Sequence, residues 1–77
     1  GKATLEIHTD VVQPGWNVMI HDDILATGGT AMAAAELVKG EGGNVAGFSF
    51  VASLDFLNGI HKIQPYSNNV VSVINFA

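Results

Sequence analysis

Val18-Met19-Ile20-His21-Asp22-Asp23-Ile24-Leu25-Ala26-Thr27-Gly28-Gly29-Thr30 decides how the rest of the chain is read. Val18-Met19-Ile20 is a short continuous apolar run, the pattern of a strand covered on both faces in a parallel sheet, and it stops at His21-Asp22-Asp23. Directly after Gly28-Gly29 comes Thr30 to Lys39, which with four Ala plus Met, Glu, Leu and Lys is rich in strong helix formers. Apolar residues take up most of the circumference of this helix, which predicts that it is buried against a sheet. Gly40, Gly42 and Gly43 supply its stop. Val45 to Val51, with Phe48 and Phe50, reads as a second strand. Strand, tight polar turn, helix and strand make a βαβ unit, whose crossover is expected to be right-handed and whose two strands are then parallel.

Working outward, Thr4-Leu5-Glu6-Ile7-His8 alternates like a half-buried strand and Gln13-Pro14-Gly15 reads as a turn. Asp55 to Gly59 predicts a short turn or helical piece, Pro65 breaks the segment after it, and Val70 to Ile74 predicts a last strand. There is no internal repeat. The fold class is therefore α/β, built on a parallel sheet.

Composition narrows the partners. The 77 residues carry three lysines, no arginine and seven acids, a net charge of −4, so no clustered positive surface exists for nucleic acid or an anionic membrane. With 48% hydrophobic and 13% charged residues the chain calls for a core and is no disordered tail. The absence of cysteine removes disulfides and thiolate metal sites. The longest uncharged stretches, such as Gly42 to Leu54, are broken by Gly, Asn and Ser and fall short of a membrane span. Gly1 to Thr4 has neither an initiator Met nor the apolar core of a secretion signal, and the expectation is a chain that is the later part of something longer. His8, His21 and His61 lack metal-ligand spacing, so no protein metal site is expected. Gly40-Glu41-Gly42-Gly43 follows a helix and precedes a strand, the wrong order for a dinucleotide loop.

In open α/β sheets, ligands bind beyond the carboxyl ends of the strands, where the segment from Asp22 to Thr30 is expected to form a loop. Gly28 and Gly29 let main-chain N–H groups approach a ligand, Thr27 and Thr30 add hydroxyls, and the helix N-terminus favours an anion. Such a cradle can hold a phosphate without lysine or arginine. Asp22 and Asp23, just upstream, repel phosphate directly and suit a donor-rich group such as a pair of sugar hydroxyls. A sugar 5′-phosphate spans the two features.

Residues 18–30 resemble the phosphoribosyl pyrophosphate (PRPP) signature of the type I phosphoribosyltransferases: mainly apolar residues, two acids, then a small-residue loop. Within that family the resemblance is to the adenine phosphoribosyltransferases and extends over essentially the whole chain. It includes Gly1-Lys2-Ala3, Leu5-Glu6-Ile7-His8, Gln13-Pro14-Gly15, Ala26 to Thr30 and Phe56-Leu57-Asn58-Gly59. Ala26 marks the adenine branch, since the 6-oxopurine members typically carry an acid there. His21 departs from the usual aliphatic residue, and Ser53 stands where many relatives have Glu.

The resemblance implies that residues 1–77 are the C-terminal part of one Rossmann-like phosphoribosyltransferase domain that lacks its N-terminal part. It implies an enzyme of purine salvage that forms AMP and pyrophosphate from adenine and PRPP. Asp22 and Asp23 then bond the ribose hydroxyls, Ala26, Thr27, Gly28, Gly29 and Thr30 wrap the 5′-phosphate, and Ile24 and Leu54 contact adenine. Mg²⁺ is bound mainly through PRPP and pyrophosphate oxygens. The catalytic Glu is expected upstream of Gly1, so the 77-residue chain alone is expected to be inactive and to need the missing N-terminal segment. A homodimer and a cytoplasmic location follow from the same resemblance. The alternative is a non-catalytic regulatory domain of this fold that senses PRPP or a nucleotide.

Overall fold

The structure is a computed structural model that describes residues 12–77. The strand expected over Thr4 to His8, and Gly1-Lys2-Ala3, lie outside the described residues.

The turn at Pro14-Gly15 leads into β1, Asn17–Leu25. It is followed by α1 (Gly29–Gly40), β2 (Asn44–Leu54), a 3₁₀ turn over Asp55–Leu57, the four-residue α2 (Ile60–Ile63) and β3 (Val70–Phe76). The sheet has the order β1-β2-β3, and both pairings are parallel. This is the expected βαβ unit followed by a second crossover through the 3₁₀ turn and α2.

Two elements run longer than the apolar runs that announce them. β1 does not stop at Ile20 but continues through the acids, with Asp22 beside Phe50, Ile24 beside Ala52 and Leu25 beside Ser53. β2 is eleven residues long and provides ladder partners well past β1's apolar run. Polar side chains do not interrupt main-chain pairing when they alternate out of the pleat. The expected loop over Asp22 to Thr30 is accordingly reduced to a bend at residues 26–28.

The expectation that β1 is covered on both faces is corrected among the described residues. Ile20 is buried, whereas Met19 is half exposed and His21 is exposed. Among the described residues only the face carrying Ile20, Phe48 and Phe50 is covered, by α1 and α2. Helix α1 likewise buries a narrower stripe than its composition predicts: Ala31, Ala34, Ala35 and Val38 face inward, while Leu37 is half exposed. That i, i+3, i+4, i+7 spacing is the single face a 3.6-residue period presents to a flat sheet. The small alanines bring the helix close to Phe48 and Phe50, whose rings stack with centroids 6.4 Å apart. Ile63 of α2 completes the core and is fully buried. On the opposite face Met19, Val51, Val71 and Val73 are exposed, Val73 at 80%.

The helix ends are tied to the sheet. The Gly43 N–H donates to the Val38 carbonyl at 2.9 Å, and the Gly15 N–H donates to the Gly42 carbonyl at 2.9 Å, linking the turn before β1 to the turn after α1. Glu36 and Tyr66 join α1 to the segment after α2: the phenol O–H donates to the Glu36 carboxylate, and the Lys39 ammonium lies 5.8 Å from the ring centroid. The hydrogen bond to Glu36, with smaller contributions from desolvation and from the carboxylate's charge, raises the Tyr66 pKa above its ordinary 10.0. A raised folded-state pKa means that this link contributes stability below pH 10 and loses it as the pH climbs through the folded-state value. Tyr66 is the sole tyrosine, so phenolate absorbance reports it directly. A spectrophotometric titration is expected to give a midpoint above 10, and Glu36→Gln is expected to bring it down toward 10. An unchanged midpoint in that variant removes Glu36 as the cause.

Candidate functional site

At the carboxyl end of β1 the chain turns into α1 through Ala26, Thr27 and Gly28. The turn is possible because Gly28 is left-handed, with φ at +89°, a region that costs an L-residue with a Cβ about 1–2 kcal/mol. The Gly28 carbonyl accepts from the Met32 N–H at 2.9 Å and so closes the first helical turn. No side chain caps the helix and no acidic residue stands in its first turn. The leading N–H groups of α1 therefore face outward with the positive end of the helix dipole and are open to an acceptor from outside the helix.

These groups border a cavity of about 260 Å³, lined by residues 24–31 and by Leu54. The cavity brings together Ile24, Ala26, Thr27, Gly28, Gly29, Thr30 and Leu54, all of which the sequence singles out. Ile24 is 43% exposed although its neighbour Leu25 is buried. Its lining combines the apolar Ile24, Leu25 and Leu54 with Thr27, Thr30 and the start of α1. No lysine stands in this wall; what it offers an anion is main-chain and hydroxyl donors.

The two aspartates are placed differently. Asp22 and Asp23 do not line the cavity. They are neighbours within β1, so the pleat sends them to opposite faces. Asp22 is buried at 6% exposure on the face of Ile20 and Phe50, and its Oδ1 accepts the Asp23 N–H at 2.8 Å. Asp23 is exposed. Among the described residues no fully buried side-chain polar atom lacks a partner. His21 points to the uncovered face, where Nδ1 lies 3.4 Å from Ser49 Oγ. Ser53 is buried, and its hydroxyl donates to Asp55 Oδ1 at 2.6 Å at the start of the turn that follows β2.

Sequence reading misses one participant in this region, Gly59. It is buried against the 26–28 bend, and Gly28 and Gly59 meet backbone to backbone. The signal was present in Asn58-Gly59, a turn dipeptide, and Asn58 does take a left-handed φ of +55°. What periodicity cannot give is which distant backbone such a turn will touch.

Comparison with known proteins places the chain. No family model matches it. It is 53% identical over 76 residues to an adenine phosphoribosyltransferase of Cytophaga hutchinsonii, covering 99% of this chain and 42% of that protein. Its structure resembles that of adenine phosphoribosyltransferase from Thermoanaerobacter pseudethanolicus with a TM-score of 0.83 at 46% identity, over 91% of this chain and 40% of the other. The Saccharomyces cerevisiae adenine phosphoribosyltransferase, solved with an iminoaltritol bisphosphate and adenine, matches with a TM-score of 0.77 at 38% identity, over 95% of this chain and 44% of that one. In sequence and in fold the chain is thus similar to adenine phosphoribosyltransferases, and it spans about two-fifths of the length of these relatives. The described sheet and helices match part of the type I phosphoribosyltransferase α/β fold.

Two glycines separate backbone strain from packing at the bend. Gly15 is also left-handed, at φ +85°, but a Cβ there meets nothing within 4 Å. At Gly28 a Cβ would overlap the Gly59 carbonyl oxygen and sit 3.1 Å from its carbon. Gly15→Ala is expected to lower stability by about 1–2 kcal/mol, the left-handed penalty alone, and Gly28→Ala by clearly more. Urea unfolding of the two variants tests this, and equal losses would contradict the close packing.

Proposed function

We propose that this chain, similar throughout to the adenine phosphoribosyltransferases, is the C-terminal, ribose 5-phosphate-binding part of such an enzyme. The observation that carries the reading is the uncapped N-terminus of α1, opened by left-handed Gly28 onto a cavity lined by apolar and threonine residues. An anion at that position satisfies the leading N–H groups, the role that side-chain caps fill in most helices.

In this reading Ala26, Thr27, Gly28, Gly29 and Thr30 hold the 5′-phosphate of PRPP or AMP through N–H groups and the two hydroxyls. Ile24 and Leu54 pack on the purine. Asp22 and Asp23 accept hydrogen bonds from the ribose hydroxyls; because Asp22 is buried and already holds the Asp23 N–H, ribose binding requires the end of β1 to present these carboxylates to the sugar. The reaction breaks the bond between the anomeric carbon and pyrophosphate and forms one from adenine N9 to that carbon, through an oxocarbenium-like state. The N9 proton passes to a base that we place in the segment upstream of Gly1. The described residues contribute positioning: they fix the phosphate end of the sugar so that the anomeric carbon stands in line between the incoming base and the leaving group.

Mg²⁺ fits this arrangement as a companion of the substrate. It is a hard cation that keeps water and phosphate oxygens around it, and the candidate carboxylates here are assigned to ribose. When bound, it neutralises charge on the departing pyrophosphate. Residues 1–77 on their own lack the proposed base and are expected to show no turnover; the complete natural chain, proposed to work in the cytoplasm as a homodimer, carries the activity.

The reading is tested by AMP formation from adenine and PRPP with the complete chain. Asp22→Asn keeps the side chain's shape and removes its charge. It is expected to reduce PRPP-dependent kcat/KM by the equivalent of about 1.5–3 kcal/mol, the value of a hydrogen bond to a charged group. Unchanged kinetics would take Asp22 out of the site, and a complete chain that binds AMP without forming it would favour the regulatory alternative.

A further inference from the structure

The turn after β2 has no part in the ligand contacts described above, yet it bears directly on the phosphate bend. The Ser53 hydroxyl donates to Asp55 Oδ1 at 2.6 Å, and the Asn58 N–H donates to the Asp55 carbonyl at 3.0 Å. Asn58 turns the chain back through its left-handed φ, and Gly59 follows. The Gly59 carbonyl accepts from the Lys62 N–H at 3.1 Å, in the first turn of α2, whose Ile63 is fully buried in the core. The turn is therefore held at both ends, by β2 through Ser53 and by the core through Ile63.

Gly59 lies against the bend at residues 26–28. A Cβ at Gly59 would overlap the Ala26 carbonyl oxygen and come within 2.9 Å of both the Gly28 nitrogen and the Thr27 carbonyl carbon. The contact is reciprocal, since a Cβ at Gly28 would overlap the Gly59 carbonyl oxygen. Every atom involved is main chain, so no rotamer change relieves it. The only responses open to the molecule are movement of the turn, which is anchored, or movement of the bend.

We propose that Gly59 is a positioning residue for the 5′-phosphate loop: the anchored turn 55–59 backs the bend at 26–28 and sets the direction of its main-chain N–H groups without touching the ligand. The proposal rests on the reading of residues 26–30 as the phosphate cradle. It makes phosphate affinity, and not purine affinity, the property that depends on this turn. A hydrogen bond to a charged group contributes roughly ten- to a hundredfold in affinity, and a Cβ at Gly59 forces a displacement of about 1 Å, enough to break one from the bend to the phosphate.

The test compares AMP with adenosine, which differ only in the phosphate, by calorimetric titration of the complete chain, together with KM for PRPP and for adenine. Gly59→Ala is expected to weaken AMP binding and raise the PRPP KM by roughly ten- to a hundredfold, with adenosine affinity and adenine KM unchanged. Ser53→Ala removes one anchor of the turn without adding bulk, and it is expected to shift the same two quantities in the same direction by less. Equal losses for AMP and adenosine, or unchanged AMP affinity in a folded Gly59→Ala, would overturn the proposal. Should Gly59→Ala fail to fold, Ser53→Ala decides, and full AMP affinity in that variant overturns it. A wild-type chain that binds neither AMP nor PRPP defeats the phosphate-cradle reading itself, whereas binding by wild type with indifferent variants defeats only the role of Gly59.

Discussion

Gly28 has to do three things at once, and the site depends on all of them. It turns the chain with a left-handed φ, its carbonyl closes the first turn of α1, and its Cα face meets the Gly59 backbone. Any side chain fails the first and third requirements together. The reward is a helix that begins directly at the end of a strand with its N–H groups uncovered. Ser, Thr, Asp and Asn side chains are strongly preferred at that position; here Thr27 lies in the bend and Thr30 follows it, but no side chain caps the helix. The helix terminus is left as a donor set for an external acceptor.

The sheet explains why the bend sits where it does. Parallel pairing with a long central β2 carries β1 through the acids to Leu25, and the alanine stripe of α1 then requires the helix to start almost at once if it is to lie flat over Phe48 and Phe50. Burial of Ala31, Ala34, Ala35 and Val38 thus fixes the start of the helix relative to the strand. On the other side of the sheet, Met19, Val51, Val71 and Val73 are open among the described residues. Parallel sheets are stable with both faces covered, so residues 12–77 form one covered half of such a layer arrangement.

Much of this was legible in the sequence, for physical reasons. The βαβ order followed from a switch between apolar runs and a helix-forming stretch, with Gly28-Gly29 and Gly40 to Gly43 as punctuation. Ala26 to Thr30 were legible because a strand-to-helix turn gathers its own residues locally, whereas Ile24 and Leu54 were named only through the family resemblance, Leu54 reaching the cavity from the end of β2. Three features were not. The extent of β1 depended on the ladder that β2 offers, which the polar residues His21, Asp22 and Asp23 conceal. The burial of Asp22 depended on pleat and face, since two adjacent acids look equivalent in sequence and are opposite in a strand. The contact between Gly59 and residues 26–28 joins backbone segments about thirty residues apart, with no side-chain pattern to announce it.

The central claim is that main-chain N–H groups at the start of α1 hold a sugar-linked phosphate. The most direct measurement is a crystal structure of the complete natural chain with AMP. The account predicts phosphate density seated on the backbone of residues 27–30 within hydrogen-bonding distance, with the ribose toward Asp22 and Asp23 and the purine against Ile24. Phosphate bound at any other place on the molecule, with the α1 N-terminus unengaged, would contradict it.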